Sequence, residues 1–125
     1  MRVMILGKAT EATENATMPT AEEFAAMEAF NDELEKSGIV LASEGLKPSA
    51  AGKRVGFDAD GRVSVTDGPF AETKELVAGY QIWEVASIEE AVAWVSRSPV
   101  RGGEVEIRPL YSAEDFAGIA DPAEQ

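Results

Sequence analysis

Gly79-Tyr-Gln-Ile-Trp-Glu-Val-Ala-Ser-Ile-Glu-Glu-Ala-Val-Ala-Trp-Val95 is the stretch on which the reading of the fold turns. Its first half, Gly79 to Ala86, places Tyr80, Ile82, Trp83 and Val85 so that apolar side chains fall on both faces of an extended strand. A strand of that kind is covered on both sides. Its second half opens with Ser87 and Glu90, the spacing of a capping box, in which the two residues satisfy each other's free backbone donors at a helix start. Ile88, Ala91, Val92 and Val95 then recur at the spacing of one helix face, with Trp94 at its edge, and Pro99 stops the helix. Glu104 to Leu110 follows as a strand whose alternation puts Val105, Ile107 and Pro109 on one face and Glu104, Glu106 and Arg108 on the other.

The amino-terminal half repeats this order. Val3 to Leu6 reads as a buried strand, and Lys8 to Met18, rich in Thr, Glu and Ala without a steady period, reads as a loop. Thr20 with Glu23 forms a capping-box pattern, and Phe24, Met27, Phe30 and Leu34 recur at helical spacing until Gly38. Glu22, Glu28, Asp32 and Glu35 make the wet side of that helix. Ile39 to Leu46 reads as a second strand, closed by Lys47-Pro48-Ser49 and Gly52. Arg54 to Asp58 and Arg62 to Thr66 alternate cleanly, with Val55 and Phe57 opposite Val63 and Val65 and Asp60-Gly61 as the turn, which predicts a half-buried hairpin. Ser112 to Phe116 starts a short helix. The expected fold is α+β, a ferredoxin-like βαββαβ core with an extra β-hairpin, over a single domain at 1–118 with a flexible tail at 119–125. Such a sheet carries its helices on one face, so a second copy covering the bare face is the simplest remedy and a homodimer is expected.

Composition removes several function classes. The 125 residues carry 11 Lys plus Arg against 23 Asp plus Glu, a net charge of −12, which argues against nucleic acid because phosphate binding needs cations that release counterions. There is no Cys and no His, so thiolate nucleophiles, disulfides, imidazole bases and the usual zinc sites are excluded. Catalysis here must use carboxylates, Lys, Tyr, Ser or Thr, or an oxygen-ligated metal. No calcium-loop spacing, phosphate-binding loop or dinucleotide-binding glycine pattern occurs, so no metal and no cofactor are expected. The first residues fit no signal peptide and no stretch approaches a membrane span, so the cytoplasm is the expected compartment and a membrane is not an expected partner.

Chemistry is concentrated in Asp67-Gly-Pro-Phe-Ala-Glu-Thr-Lys-Glu75, where Asp67, Glu72, Lys74 and Glu75 crowd behind a Gly68-Pro69 turn. Asp67 stands where a short carboxylate accepts backbone N–H bonds to fix a turn, or where it binds a ligand or moves a proton. Pro69 and Phe70 read as a rigid turn and a core anchor. Glu72, Lys74 and Glu75 form either a surface ion-pair cluster or a site in which Lys raises the ionised population of one carboxylate and burial tunes another. Asp67, Glu72 and Lys74 are therefore the candidate catalytic residues. Glu106 and Arg108 point the same way from the last strand and, with Tyr80, are the candidate ligand-binding residues; charges enclosed there must be paired or solvated.

Asp67-Gly-Pro-Phe70, with Glu72-Thr-Lys-Glu75, Gly79-Tyr80, Glu90-Ala91, Trp94 and Glu104-Val-Glu-Ile-Arg-Pro-Leu110, resembles the DGPF branch of the YCII-related proteins over nearly the whole chain. The resemblance implies a dimeric α/β barrel in which two ferredoxin-like sheets face each other. It implies a small-molecule site as in lactone-converting or dehalogenating relatives, with a catalytic His and Asp pair whose Asp corresponds most nearly to Glu72. The chain departs from that pattern in having no His, so an imidazole mechanism does not carry over. The resemblance also implies association with sigma factors of the extracytoplasmic-function type. Two functions thus stand side by side: a small-molecule-binding protein or enzyme with a carboxylate, Lys and Arg-lined pocket between subunits, and a non-catalytic regulatory or protein-binding module that partners a sigma factor through its acidic surface.

Overall fold

The computed structural model describes residues 1–119. Six strands and three α-helices follow one another as β1 (Arg2–Lys8), α1 (Glu11–Glu14), α2 (Ala21–Ser37), β2 (Val40–Gly45), β3 (Lys53–Phe57), β4 (Val63–Asp67), β5 (Val77–Glu84), α3 (Ile88–Ser96) and β6 (Val105–Pro109), with short 3₁₀ turns at Ser49–Ala51, Thr73–Glu75 and Ala113–Phe116. From residue 120 onward, the tail expected at 119–125 lies outside the described residues.

Helix boundaries follow the caps. Thr20 accepts a hydrogen bond from the Glu23 N–H at 3.1 Å and Ser87 one from the Glu90 N–H at 3.2 Å. Gly38 ends α2 at φ 78°, a left-handed conformation that suits a residue without Cβ. The Glu90 carboxylate reaches back to the Ala86 N–H, one residue before the cap. The stretch expected as a loop at Lys8 to Met18 contains α1, closed by reciprocal bonds between Thr10 and Thr13 that the aperiodic sequence does not advertise.

The main sheet has the order β2-β5-β1-β6 with every neighbouring pair antiparallel, the ferredoxin-like arrangement. Val3 faces Trp83 and Pro109 across β1, and Ile5 faces Gln81 and Ile107. Opposed residues share a face, so Val3, Ile5, Trp83 and Ile107 look one way, toward α2 and α3. There Val3, Ile5, Leu34, Trp83, Val85 and Ala91 form the core, with Phe30, Trp94, Val95 and Val105 packed against it. Trp83, Leu34 and Val3 are the largest side chains wholly removed from water, worth roughly 1.5–3 kcal/mol each. The opposite face carries Met4, Leu6, Tyr80 and Ile82 at its centre, all half-buried.

β3 and β4 form a separate two-stranded sheet inserted between β2 and β5, with Val55 opposite Val65 and Phe57 opposite Val63 as the alternation requires. Its turn is longer than a two-residue Asp60-Gly61 link. Asp58 and Arg62 close a loop in which Gly61 alone takes positive φ, at 81°, and the Asp58 carboxylate accepts from the Asp60 and Arg62 N–H groups. The hairpin is also not half-buried: Val55, Phe57, Val63 and Val65 are 51–73% exposed. The alternation that predicts a packed face is present, but nothing among the described residues packs on it.

Candidate functional site

The stretch from Asp67 to Glu75 divides into two parts with different surroundings. In the first, Gly68 lies so close to the 49–51 turn that a Cβ built on it would stand 1.8 Å from the Ser49 carbonyl oxygen. Its N–H donates to the Gly52 carbonyl at 2.9 Å, and the Phe70 N–H donates to the Ser49 hydroxyl oxygen at 3.0 Å. The Glu14 carboxylate accepts from both the Ser49 N–H and its hydroxyl. These bonds, the hydroxyl first and the N–H second, hold the Glu14 carboxyl below the ordinary carboxylate range. The Arg54 guanidinium lies 3.9 Å over the Phe70 ring, and Lys53 pairs with Asp67 across the base of the hairpin. Asp67 is thus exposed and engaged with the hairpin's own lysine.

The second part of the stretch borders a cleft of about 550 Å³ lined by Lys8, Thr10, Glu11, Thr73, Lys74 and Glu104 with the small residues between them. Its walls are tied by backbone bonds: the Lys8 N–H donates to the Glu104 carbonyl at 3.0 Å and the Ala9 N–H to the Leu76 carbonyl at 2.8 Å. Gly103 permits a close approach, since a Cβ there would meet the Thr10 methyl at 3.3 Å. The Lys8 side chain is only 17% exposed; its ammonium donates to the Glu75 carbonyl at 3.2 Å and stands 3.7 Å from Glu106. Glu106 also accepts from Arg108 at 3.1 Å. Lys74 has no ion-pair partner among the described residues.

Of the sequence-derived candidates, Lys74 lines this cleft, and Glu106 joins it through Lys8. Tyr80 and Glu106 both face Leu6, and Arg108 faces Met4, so all three belong to the sheet face opposite the helices. Asp67 and Glu72 do not line the cleft; Glu72 is exposed and takes φ 60°, opening the 73–75 turn. Lys8 is the residue sequence reading overlooks. At the carboxyl end of a strand it reads as the first residue of a loop, and only the register opposing Gly7 to Val105 and Leu6 to Glu106 brings it to the glutamate. Lys8 and Lys74 line this cleft together with Glu11 and Glu104, and Lys74, without an ion-pair partner among the described residues, suits an anionic group of a small molecule. Among the described residues no group of three or more carboxylates comes together in a way that could hold a metal ion, and no helix is long and apolar enough to cross a membrane.

These features define a two-layer α+β protein of ferredoxin-like topology with a polar cleft at the end of its central strand. The chain belongs to the family of the YCII-related domain, whose family model matches residues 1–114. A relative, an uncharacterized protein of Rhizobium meliloti (strain 1021), is 38% identical over 68 residues, 52% of this chain and 54% of its own length. The chain thus matches about half the length of that curated relative. Among solved structures, 5-chloro-2-hydroxyhydroquinone dehydrochlorinase (TftG) from Burkholderia phenoliruptrix AC1100, in complex with 2,5-dihydroxybenzoquinone, aligns over 92% of this chain and 98% of its own with a TM-score of 0.53 at 13% identity. At that identity the likeness is one of fold.

Proposed function

We propose that this protein binds a small organic anion in the cleft between Lys8 and Lys74, and that a second copy of the chain covers the adjoining sheet face and completes the pocket. The observation that carries this reading is the pair of lysines at one cleft in a chain of net charge −12, one of them with its stem largely buried. Lys8 is oriented by Glu106 and the Glu75 carbonyl, while Lys74, with no ion-pair partner among the described residues, is available to a ligand carboxylate or phenolate. Tyr80, Glu106 and Arg108 then contact the ligand from the sheet, and Glu106 and Tyr80 are the groups a proton transfer there would use. Asp67 fixes the base of the hairpin and Glu72 the 73–75 turn. The fold neighbour acts on a small ring compound, which agrees with a small-molecule role. In this reading residues 1–118 act as one cytoplasmic domain.

Titration with 4-hydroxybenzoate followed by calorimetry tests the site. Lys74→Ala weakens binding about tenfold and Lys8→Met more, without loss of helical signal. Equal affinity in wild type and both variants, or no binding at millimolar probe, refutes it.

The exposed apolar face of the hairpin favours a second reading, a regulatory module that docks on a sigma factor. Co-purification from the native host at low and moderate salt with no sigma factor retained removes that reading.

A further inference from the structure

Three segments of the chain wall the lysine cleft, and each brings charge to it. The end of β1 and the start of α1 bring Lys8 and Glu11, the turn before β5 brings Lys74, and the approach to β6 brings Glu104. The lining therefore carries two lysines and two glutamates. Lys8 already has Glu106 beside it, 3.7 Å from its ammonium. Lys74, Glu11 and Glu104 have no ion-pair partner among the described residues.

The sheet order decides which wall each charge stands on. β1 lies between β5 and β6 and runs antiparallel to both, so the segments entering β5 and β6 flank the end of β1 on opposite sides. Their backbones are two strand spacings, or about 10 Å, apart. The Ala9 N–H bond to the Leu76 carbonyl and the Lys8 N–H bond to the Glu104 carbonyl carry that spacing past the paired strands into the cleft walls. Lys74 thus borders the β5 side and Glu104 the β6 side, with Glu11 at the opening of α1.

This separation of charge selects among organic anions. A plain carboxylate at Lys74 gains one ion pair but is repelled by the carboxylates of Glu11 and Glu104. A positive group at the far end of the same molecule turns that repulsion into attraction. An α-amino acid holds its two charges on neighbouring atoms and cannot meet walls set apart by two strand spacings. Resting on the anion site proposed above, we infer that the ligand of this cleft is a zwitterion with separated charges, an amino acid of the ω-amino type, its carboxylate at Lys74 and its ammonium at Glu104 and Glu11.

4-Methylbenzoate and 4-(aminomethyl)benzoate share a ring and a carboxylate and differ in one ammonium group, so calorimetric titration of the wild-type chain with each isolates the added charge. At low ionic strength the ammonium compound binds about fivefold tighter, and the advantage shrinks as salt is added. A chain carrying both Glu11→Gln and Glu104→Gln keeps the shapes of the two side chains. It binds the ammonium compound more weakly than wild type does and 4-methylbenzoate more tightly, opposite changes that general damage to the fold does not produce. Lys74→Ala weakens both compounds. Phenylglycine, with both charges on one carbon, binds no better than 4-methylbenzoate. Equal affinity of the two benzoates for wild type, with both weakened by Lys74→Ala, overturns the zwitterion and leaves the anion site standing. No binding of either at millimolar concentration overturns both. An ammonium advantage that survives in the folded double variant, or one that phenylglycine shares, overturns the placement of the ammonium at Glu11 and Glu104.

Discussion

Replacing Gly68 by Ala tests the claim that the first half of the charged stretch is a structural clasp. The added methyl carbon falls 1.8 Å from the Ser49 carbonyl oxygen, 2.6 Å from its carbon and 3.3 Å from Ala50 Cα. All three are backbone atoms, so no rotamer change relieves the overlap, and ordinary contact begins only at 3.4 Å. The 49–51 turn and the 67–70 segment must therefore part by more than an ångström. That movement breaks the Gly68 N–H bond to the Gly52 carbonyl and the Phe70 N–H bond to the Ser49 hydroxyl. At about 0.5–1.5 kcal/mol for each bond, plus roughly 1 kcal/mol of residual strain, the loss is about 3 kcal/mol. It appears as a fall of roughly 10 °C in Tm and a matching shift of the urea midpoint at unchanged slope. Hydrogen exchange locates the damage: the amides of Gly56 and Thr66, which lie in the hydrogen-bonded pairs of the hairpin, lose protection before those of Ile5 and Trp83. A Gly68→Ala chain that unfolds within about 0.5 kcal/mol of wild type, with hairpin exchange unaltered, refutes the clasp.

Glu14 gives a pH signature. Its carboxyl is held below the ordinary range by the Ser49 hydroxyl and N–H, so the stability it contributes is present in full above the unfolded-state pKa and is lost as pH falls through the lower folded-state value. The stability gap between wild type and Ser49→Ala therefore narrows on acidification below the ordinary glutamate range, and a gap that stays constant or widens there contradicts the assignment. Ile82→Lys places a charge at the centre of the sheet face opposite the helices, between Ala42 and Met4. If a second copy covers that face, sedimentation of the folded variant shows a monomer where wild type is a dimer; a variant dimer of wild-type affinity excludes the face as the interface.

The core elements were legible because their signals are local. Thr20 and Gly38 mark both ends of α2, Ser87 marks the start of α3, and the alternation of Val105, Ile107 and Pro109 against Glu106 and Arg108 matches the two faces of β6. The register of the hairpin was equally plain. Its exposure was not, because alternation reports which side chains share a face and says nothing of whether this chain supplies a cover. The cleft was harder still. Lys74 was visible as a charge in a crowded segment, but Lys8 lies 66 residues earlier in the chain and becomes its neighbour only through β1 pairing with β5 and β6. α1 escapes the pattern for a related reason: Thr10 and Thr13 cap each other without the Glu that makes a capping box readable.

The clasp and the cleft are coupled by the short chain between them. Phe70 is fixed by Ser49 and Arg54, Leu76 enters β5 with its carbonyl accepting from Ala9, and only five residues, Ala71 to Glu75, span the interval. Within that span the Glu72 carbonyl accepts from the Glu75 N–H, closing the 3₁₀ turn, and the Glu75 carbonyl accepts from the Lys8 ammonium. Lys74 thus sits on a bridge anchored at both ends, and the position of its ammonium depends on the Gly68 contact as well as on β5. The turn motif and the charged motif adjoin in sequence because one sets the geometry of the other. It follows that Gly68→Ala, although its methyl group touches no residue of the cleft lining, weakens anion binding at Lys74.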